Sequence, residues 1–202
     1  KMEIFQTIWT TLTTENEVLT NIIGVPSEYL EGFLYMLLFT TLLNIEANKK
    51  QKLIYVIIVA TLSIMSKFII PNPFNSYINL FIVLTCILLI FKTNIFKAII
   101  SLLFPIIITA LIESIFTKIY YYIFHIDYII GANIPLHRLI GSFIVYISLF
   151  IIYLLLLFFK INLEKLQISN KKKQYLLIFS TTFGIILIGL QVYLITFYVS
   201  YL

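Results

Sequence analysis

A chain of 202 residues that is 61% hydrophobic and only 11% charged, with a mean hydropathy of +1.03, lacks the polar surface of a water-soluble domain. At about twenty apolar residues per membrane crossing, it holds about six or seven spans and leaves no room for a soluble catalytic domain beside them. The excess of 14 Lys and Arg over 9 Asp and Glu then reports membrane orientation and not a nucleic-acid partner, and a single cysteine, Cys86, excludes an intrachain disulfide framework.

The first stretch, KMEIFQTIWTTLTTENE, has neither a basic-then-apolar block nor a cleavage site, so no secretory signal peptide is expected. Ile4, Phe5, Ile8, Trp9 and Leu12 recur at helical spacing with threonine and glutamate between them. That pattern predicts an interfacial amphipathic helix within 1–24, anchored at headgroup depth by Trp9. Pro26 suits a helix start, and the first span is placed at 26–44, followed by the polar loop NIEANKKQK.

The second span is expected at 53–70, where the two prolines of PNPFN forbid continuation. A third, at 76–91, meets the short KTNIFK turn, and a fourth, at 98–124, contains Pro105, where a kink is expected. HIDYIIGANIP clusters Gly, Asn and Pro and reads as a loop. The fifth span, 136–159, leads into the polar connector KINLEKLQISNKKKQ, and a sixth, 175–202, closes the chain. The fold class is thus an all-α membrane protein, a bundle of about six transmembrane helices behind an interfacial helix.

Ten of the fourteen cationic side chains fall in loops 45–52, 92–97 and 160–174. The positive-inside rule puts those loops in the cytoplasm of a multi-pass plasma-membrane protein and the amino terminus outside. Lys171, Lys172 and Lys173 are then a cytoplasmic anchor to anionic lipid. Six spans also bring Leu202 to the outer face, so a cytoplasmic effector would need one more span beyond it; a cut at that point is expected, with a complete six-span protein as the other reading.

Ionisable residues in or beside spans are costly in hydrocarbon and mark candidate sites. Glu28, Glu31, Lys67, Glu113, Lys118, His125, Asp127, His137 and Arg138 all fall in the predicted outer half. Glu31, Glu113, Lys118, His125, Asp127, His137 and Arg138 are the candidate ligand-binding set. Glu113 either lines an outward pocket, bonds a neighbouring helix, or pairs with Lys118 across a spacing of five that is not ideal. For Glu28 and Glu31, three apart on one helix face, a solvated helix start is the favoured reading, because acidic residues suit helix N-termini. His125, Asp127 and His137 invite a metal site, but no HxxxH or HExxH pattern accompanies them, and neither a metal nor a cofactor is expected. Tyr120, Tyr121, Tyr122 and Tyr128 form an aromatic belt.

Cys86 lies mid-span with no histidine in its helix, which disfavours a membrane cysteine peptidase. No catalytic residues are assigned, and an intramembrane enzyme using Glu28, Glu31 and Glu113 is opposed by the lack of a catalytic constellation.

LLFTTLLN at 37–44, KKQKLIYV at 49–56, IPNPF at 70–74 and IESIF at 112–116 resemble the amino-terminal membrane regions of clostridial GHKL-type sensor histidine kinases, the receptors of accessory-gene-regulator peptide quorum systems. The resemblance extends over nearly the whole chain. It implies a two-component receptor region that binds an extracellular peptide or small molecule and relays the signal to a cytoplasmic kinase absent from these residues, with a homodimer formed through that kinase. The competing expectation is the substrate-binding membrane subunit of a vitamin-type importer, whose length and span count fit equally well. The first span, YLEGFLYMLLF, lacks the small-residue stripe by which such subunits dock a partner.

Overall fold

The computed structural model describes residues 2–71, 74–125, 131 and 133–161. Among the described residues six helices can be bounded, in this order: α1, Met2–Thr13; α2, Glu17–Leu42; α3, Lys49–Ile69; α4, Phe74–Phe91; α5, Ile95–Phe124; and α6, Pro135–Phe158. There is no strand among the described residues. Five of the helices, α2 to α6, are long and apolar enough to cross a membrane, so the protein is an all-α membrane bundle. The sixth expected span, 175–202, and the anchor Lys171, Lys172 and Lys173 lie outside the described residues.

The amino-terminal segment breaks earlier than the sequence suggests. Its first helix ends at Thr13, and α2 begins at Glu17 and runs through Pro26 instead of starting there. Asn16 is the reason: its Oδ1 accepts from the Leu19 amide at 3.0 Å, a side-chain N-cap, and Glu17 places an acidic group in the positive first turn. The Asn16 amide donates to the Asn133 carbonyl at 3.1 Å, and the Thr20 hydroxyl reaches the same carbonyl at 3.1 Å. This start is therefore pinned to the segment before α6. Pro26 then sits in the third turn, where it removes one backbone donor; such a loss costs about 3 kcal/mol in a helix interior and must be offset by packing.

On α1, Ile4, Phe5, Ile8 and Trp9 share one exposed face, and the helix packs on α6. At the other end of the bundle, α3 opens with a capping box: Asn48 Oδ1 accepts from the Gln51 amide, and Gln51 Oε1 accepts from the Asn48 amide. Gln51 also donates to the Ile90 carbonyl at 2.9 Å, which ties this start to the end of α4. Two helices finish in the same manner. After α2, Asn44 has φ 48° and the Ile45 amide returns to the Thr40 carbonyl; after α6, Lys160 has φ 50° and the Ile161 amide returns to Leu156. Both are Schellman stops that capture carbonyls left over at the helix end.

Helix α2 is the hub, packed against α3, α5 and α6. Leu34, Leu38 and Leu42, at intervals of four, meet Val145, Leu149 and Leu156 of α6, with Phe104, Ile108 and Ile112 of α5 behind them. A second face of α2 presents Met36 and Phe39 to Tyr55 and Val59 of α3, Cys86, Ile87 and Phe91 of α4, and Ala98 of α5. Phe39, Tyr55 and Phe91 form a ring triangle with centroid distances of 5.5, 5.4 and 5.3 Å. Lipid tails are as apolar as leucine, so close packing and hydrogen bonds between helices, not transfer from water, hold such a bundle together.

The polar bonds run to each neighbour of the hub. The Tyr35 hydroxyl donates to Thr109 Oγ1 of α5 at 2.9 Å; the Tyr146 hydroxyl of α6 donates to the Ser27 carbonyl at 3.2 Å; Tyr29 and Thr61 of α3 share a bond of 3.2 Å. Ser66 of α3 donates to Asn79 Oδ1 of α4 at 2.6 Å. Bonds of this kind contribute about 0.6 kcal/mol each in a membrane. Their value is as much in fixing helix rotation as in energy.

Candidate ligand site at one end of the bundle

The first turns of α2 and α6 and the last turns of α3 and α5 lie at the same end, because successive spans run antiparallel. Ionisable residues far apart in sequence therefore meet. Glu28 of α2 forms an ion pair with Lys67, which stands in the last turn of α3 where a cation also complements the helix dipole. Three residues on, Glu31 feels the repulsion of Glu28 and Glu113 and the attraction of Lys67. Glu113 of α5 is held in the field of Arg138 of α6.

Two cavities open among these groups. The smaller, about 70 Å³, is lined by Glu31, Glu113, Tyr120, His137, Arg138 and Tyr146, with Gly131, Gly141 and Ser142 among the rest. The larger, about 250 Å³, lies between α2, α3 and the start of α6, and brings Asn21, Glu28, Lys67, Phe68 and Asn133 together with Arg138. Arg138 is a wall of both.

Of the residues expected to bind ligand, Glu31, Glu113, His137 and Arg138 line the smaller cavity, and Arg138 also lines the larger. Lys118 is exposed and lines neither. Arg138, from another helix, is a positive charge acting on Glu113. His125 is exposed just past α5, with φ 51°, and also lines neither cavity. Asp127 lies outside the described residues. No group of three His, Cys, Asp or Glu side chains is arranged so that it could hold a metal ion among the described residues. Cys86 is buried in the apolar cluster around Phe39, at the far end from these cavities, while Asn79 is bonded to Ser66.

Sequence reading gave Tyr120 only as part of an interfacial belt. In the structure it is 2% exposed, its hydroxyl hydrogen-bonds His137 Nδ1, and its ring meets the His137 imidazole edge-on at 5.4 Å and Phe116 at 5.6 Å. Gly131 makes the seat. A Cβ placed there would stand 3.0 Å from the Tyr120 hydroxyl and 3.2 Å from the ring. Gly131→Ala should therefore shift Tyr120 off His137 and lower stability by about 1–3 kcal/mol, the usual penalty of overpacking. Thermal unfolding of the detergent-solubilised variant measures this; an unchanged midpoint would mean that Tyr120 yields at no cost. The available signal for this contact was a lone glycine in the GANIP cluster, which marked a loop but not what pressed against it.

The roles of Thr109 and Tyr146 likewise had no linear signal. Each acts across a helix interface, with Tyr35 and with Ser27.

No family model matches the chain, and no curated protein and no solved structure matches it.

Proposed function

We propose that this chain is the membrane receptor region of a sensor histidine kinase, that it binds an extracellular signal, a small peptide being the favoured class, and that it relays the signal to a cytoplasmic kinase outside these residues. The observation that carries the reading is the gathering of Glu31, Glu113, His137 and Arg138 around one cavity, with a second cavity sharing Arg138. Lysine distribution assigns that end to the outside. The resemblance noted in the sequence adds the output.

A ligand in these cavities touches α2, α3, α5 and α6 at once. It shifts the bundle only by binding one arrangement of those helices better than another. Because α2 carries both apolar clusters on separate faces, a change in its outer turns is transmitted to the α3–α4 side and the α6 side together. The ends that carry Lys49, Lys50, Lys92 and Lys97 are where the output would leave.

The test is reconstitution of the chain in nanodiscs and titration with the peptide fraction of spent culture medium. Saturable binding without ATP-dependent autophosphorylation or turnover is the expected outcome for this region alone. Turnover of a substrate would overturn the reading, and a vitamin carried through purification in stoichiometric amount would move the assignment to an importer subunit.

A further inference from the structure

Helix α1 carries an apolar face that the bundle leaves bare. Its 12 residues rise about 18 Å, too little to cross a bilayer. Leu12 and Thr13, at its end, are partly buried, whereas every residue from Ile4 to Thr11 is exposed, and Ile4, Phe5, Ile8 and Trp9 are each more than half exposed. The bundle therefore shelters only the last turn. A short link leads from there into α2, where Asn16 and Thr20 both bond to the Asn133 carbonyl, so α1 leaves the bundle at the end of a membrane span, the level of the bilayer boundary. Apolar exposure continues in the spans that α1 joins and packs on: Val18 and Ile22 of α2 and Leu139 and Phe143 of α6 are exposed as well. Lipid, which faces those spans, is the cover that the position of α1 offers.

Charge decides which lipid. The one charged residue within α1 is Glu3; Lys1 precedes it, and Glu15 and Glu17 follow, so acidic groups outnumber basic ones across 1–17. Attraction to anionic headgroups comes from Lys and Arg on the polar face of an interfacial helix, and α1 has neither. The rest of its polar face is threonine and glutamine. The hydroxyls of Thr10, Thr11 and Thr13 donate to the carbonyls of Gln6, Thr7 and Trp9 at 2.9, 2.8 and 2.8 Å, and are thereby satisfied inside the helix instead of reaching for headgroups. Adhesion is left to the apolar side chains alone. To enter they must open space between lipids, which costs little where lipids pack loosely and much where they pack tightly.

We propose that α1 is an arm that seats in the interfacial layer of the bilayer by apolar insertion alone, and that its partner is loosely packed zwitterionic lipid and not anionic lipid. Ile4, Phe5, Ile8 and Trp9 are the inserted residues. The two ends of the bundle then hold the bilayer by different physics: the lysine-bearing loops by charge, α1 by insertion. The inference stands apart from the receptor reading, because it assigns no role to either cavity.

Trp9 is the only tryptophan of the chain, so its fluorescence reports on α1 without a label. The test places the full chain in nanodiscs of dioleoylphosphatidylcholine, with and without a share of the same lipid brominated on the acyl chains near the headgroups, where bromine quenches a tryptophan that touches it. Trp9 emission should lie to the blue of its value in water and should be quenched by the brominated lipid. Cholesterol, which tightens lipid packing, should reduce the quenching several-fold. Replacing part of the lipid with phosphatidylglycerol should not strengthen it, and raising the salt should not weaken it, since no attraction between opposite charges is there to screen. The Ile4→Ser, Ile8→Ser double variant should lose the quenching while keeping the bundle, because both side chains stand outside it.

Emission that stays water-like and unquenched in every disc would overturn the inference. Shielding of Trp9 from aqueous acrylamide without quenching by lipid would do so as well, by giving the face to a second copy of the chain. Quenching that requires phosphatidylglycerol or disappears in high salt would make the anchor electrostatic, and equal quenching with and without cholesterol would remove the dependence on packing; either result overturns it, as does quenching that survives in the double variant. The receptor reading is judged separately, by saturable binding of peptide from spent medium.

Discussion

Phe39→Ala should cost about 3 kcal/mol of stability, the scale on which a buried phenylalanine leaves a cavity its neighbours cannot close. Phe39 is fully buried on α2 and is the one ring of the Phe39, Tyr55 and Phe91 triangle that belongs to the hub. Its contacts are edge-on, with interplanar angles of 81° and 83°, the geometry in which ring edges meet ring faces. Removing it deprives α3 and α4 of their shared partner at once. Since lipid offers apolar contact as well as protein does, the loss comes from the void and the broken interdigitation, not from exposure to water. Unfolding in detergent or in mixed lipid micelles measures it. Phe39→Leu, which refills part of the space, should recover about half of the loss, and equal stability of Phe39→Ala and the parent would show that this cluster does not hold the helices together.

The second large effect is expected at the ion pair between α2 and α3. Lys67→Met leaves Glu28 without its cation beside Glu31 and Glu113, and should destabilise the bundle by about 2 kcal/mol, somewhat below the cost of stranding one partner of a fully buried pair. The Lys67 side chain is 43% exposed and that of Glu28 is 18% exposed, which is why the lower figure applies. Double replacement with Glu28→Gln and Lys67→Gln removes both charges and should return most of the stability, because two neutral amides carry no stranded charge. If the double variant were as damaged as the single one, packing of the lysine stem would be the dominant contribution instead of charge.

The helices themselves were legible in the sequence because runs of about twenty apolar residues between polar loops have few alternatives. The start of α2 was not. Proline at a helix start is a sound local expectation, yet the Asn16 cap and the bonds from Asn16 and Thr20 to Asn133 stabilise an earlier start, and Asn133 is more than a hundred residues away in the chain. Local preference at Pro26 lost to a tertiary contact that the sequence does not announce.

Faces were legible less well than spans. In helices apolar all round, Leu34, Leu38 and Leu42 look like the other leucines of their span, and only the packed bundle separates them from residues that face lipid. The site falls between these cases. Glu31, Glu113, His137 and Arg138 stand out as ionisable groups in apolar surroundings, so their membership of a polar set could be read directly. Their partners could not. Spacing along one helix could not show that Arg138 acts on Glu113; Tyr35 finds Thr109 and Tyr120 finds His137 only after the helices are assembled.

The central claim, that the polar end of this bundle receives an extracellular ligand, is tested most directly by one titration of secreted peptide into the nanodisc-embedded chain and its Glu31→Gln, Glu113→Gln double variant. Saturable binding to the parent and at least an about ten-fold loss in a folded double variant is the result predicted, the scale expected when charges that meet the ligand at low dielectric are removed. No saturable binding to the parent, or binding unaffected by the double substitution, would contradict it.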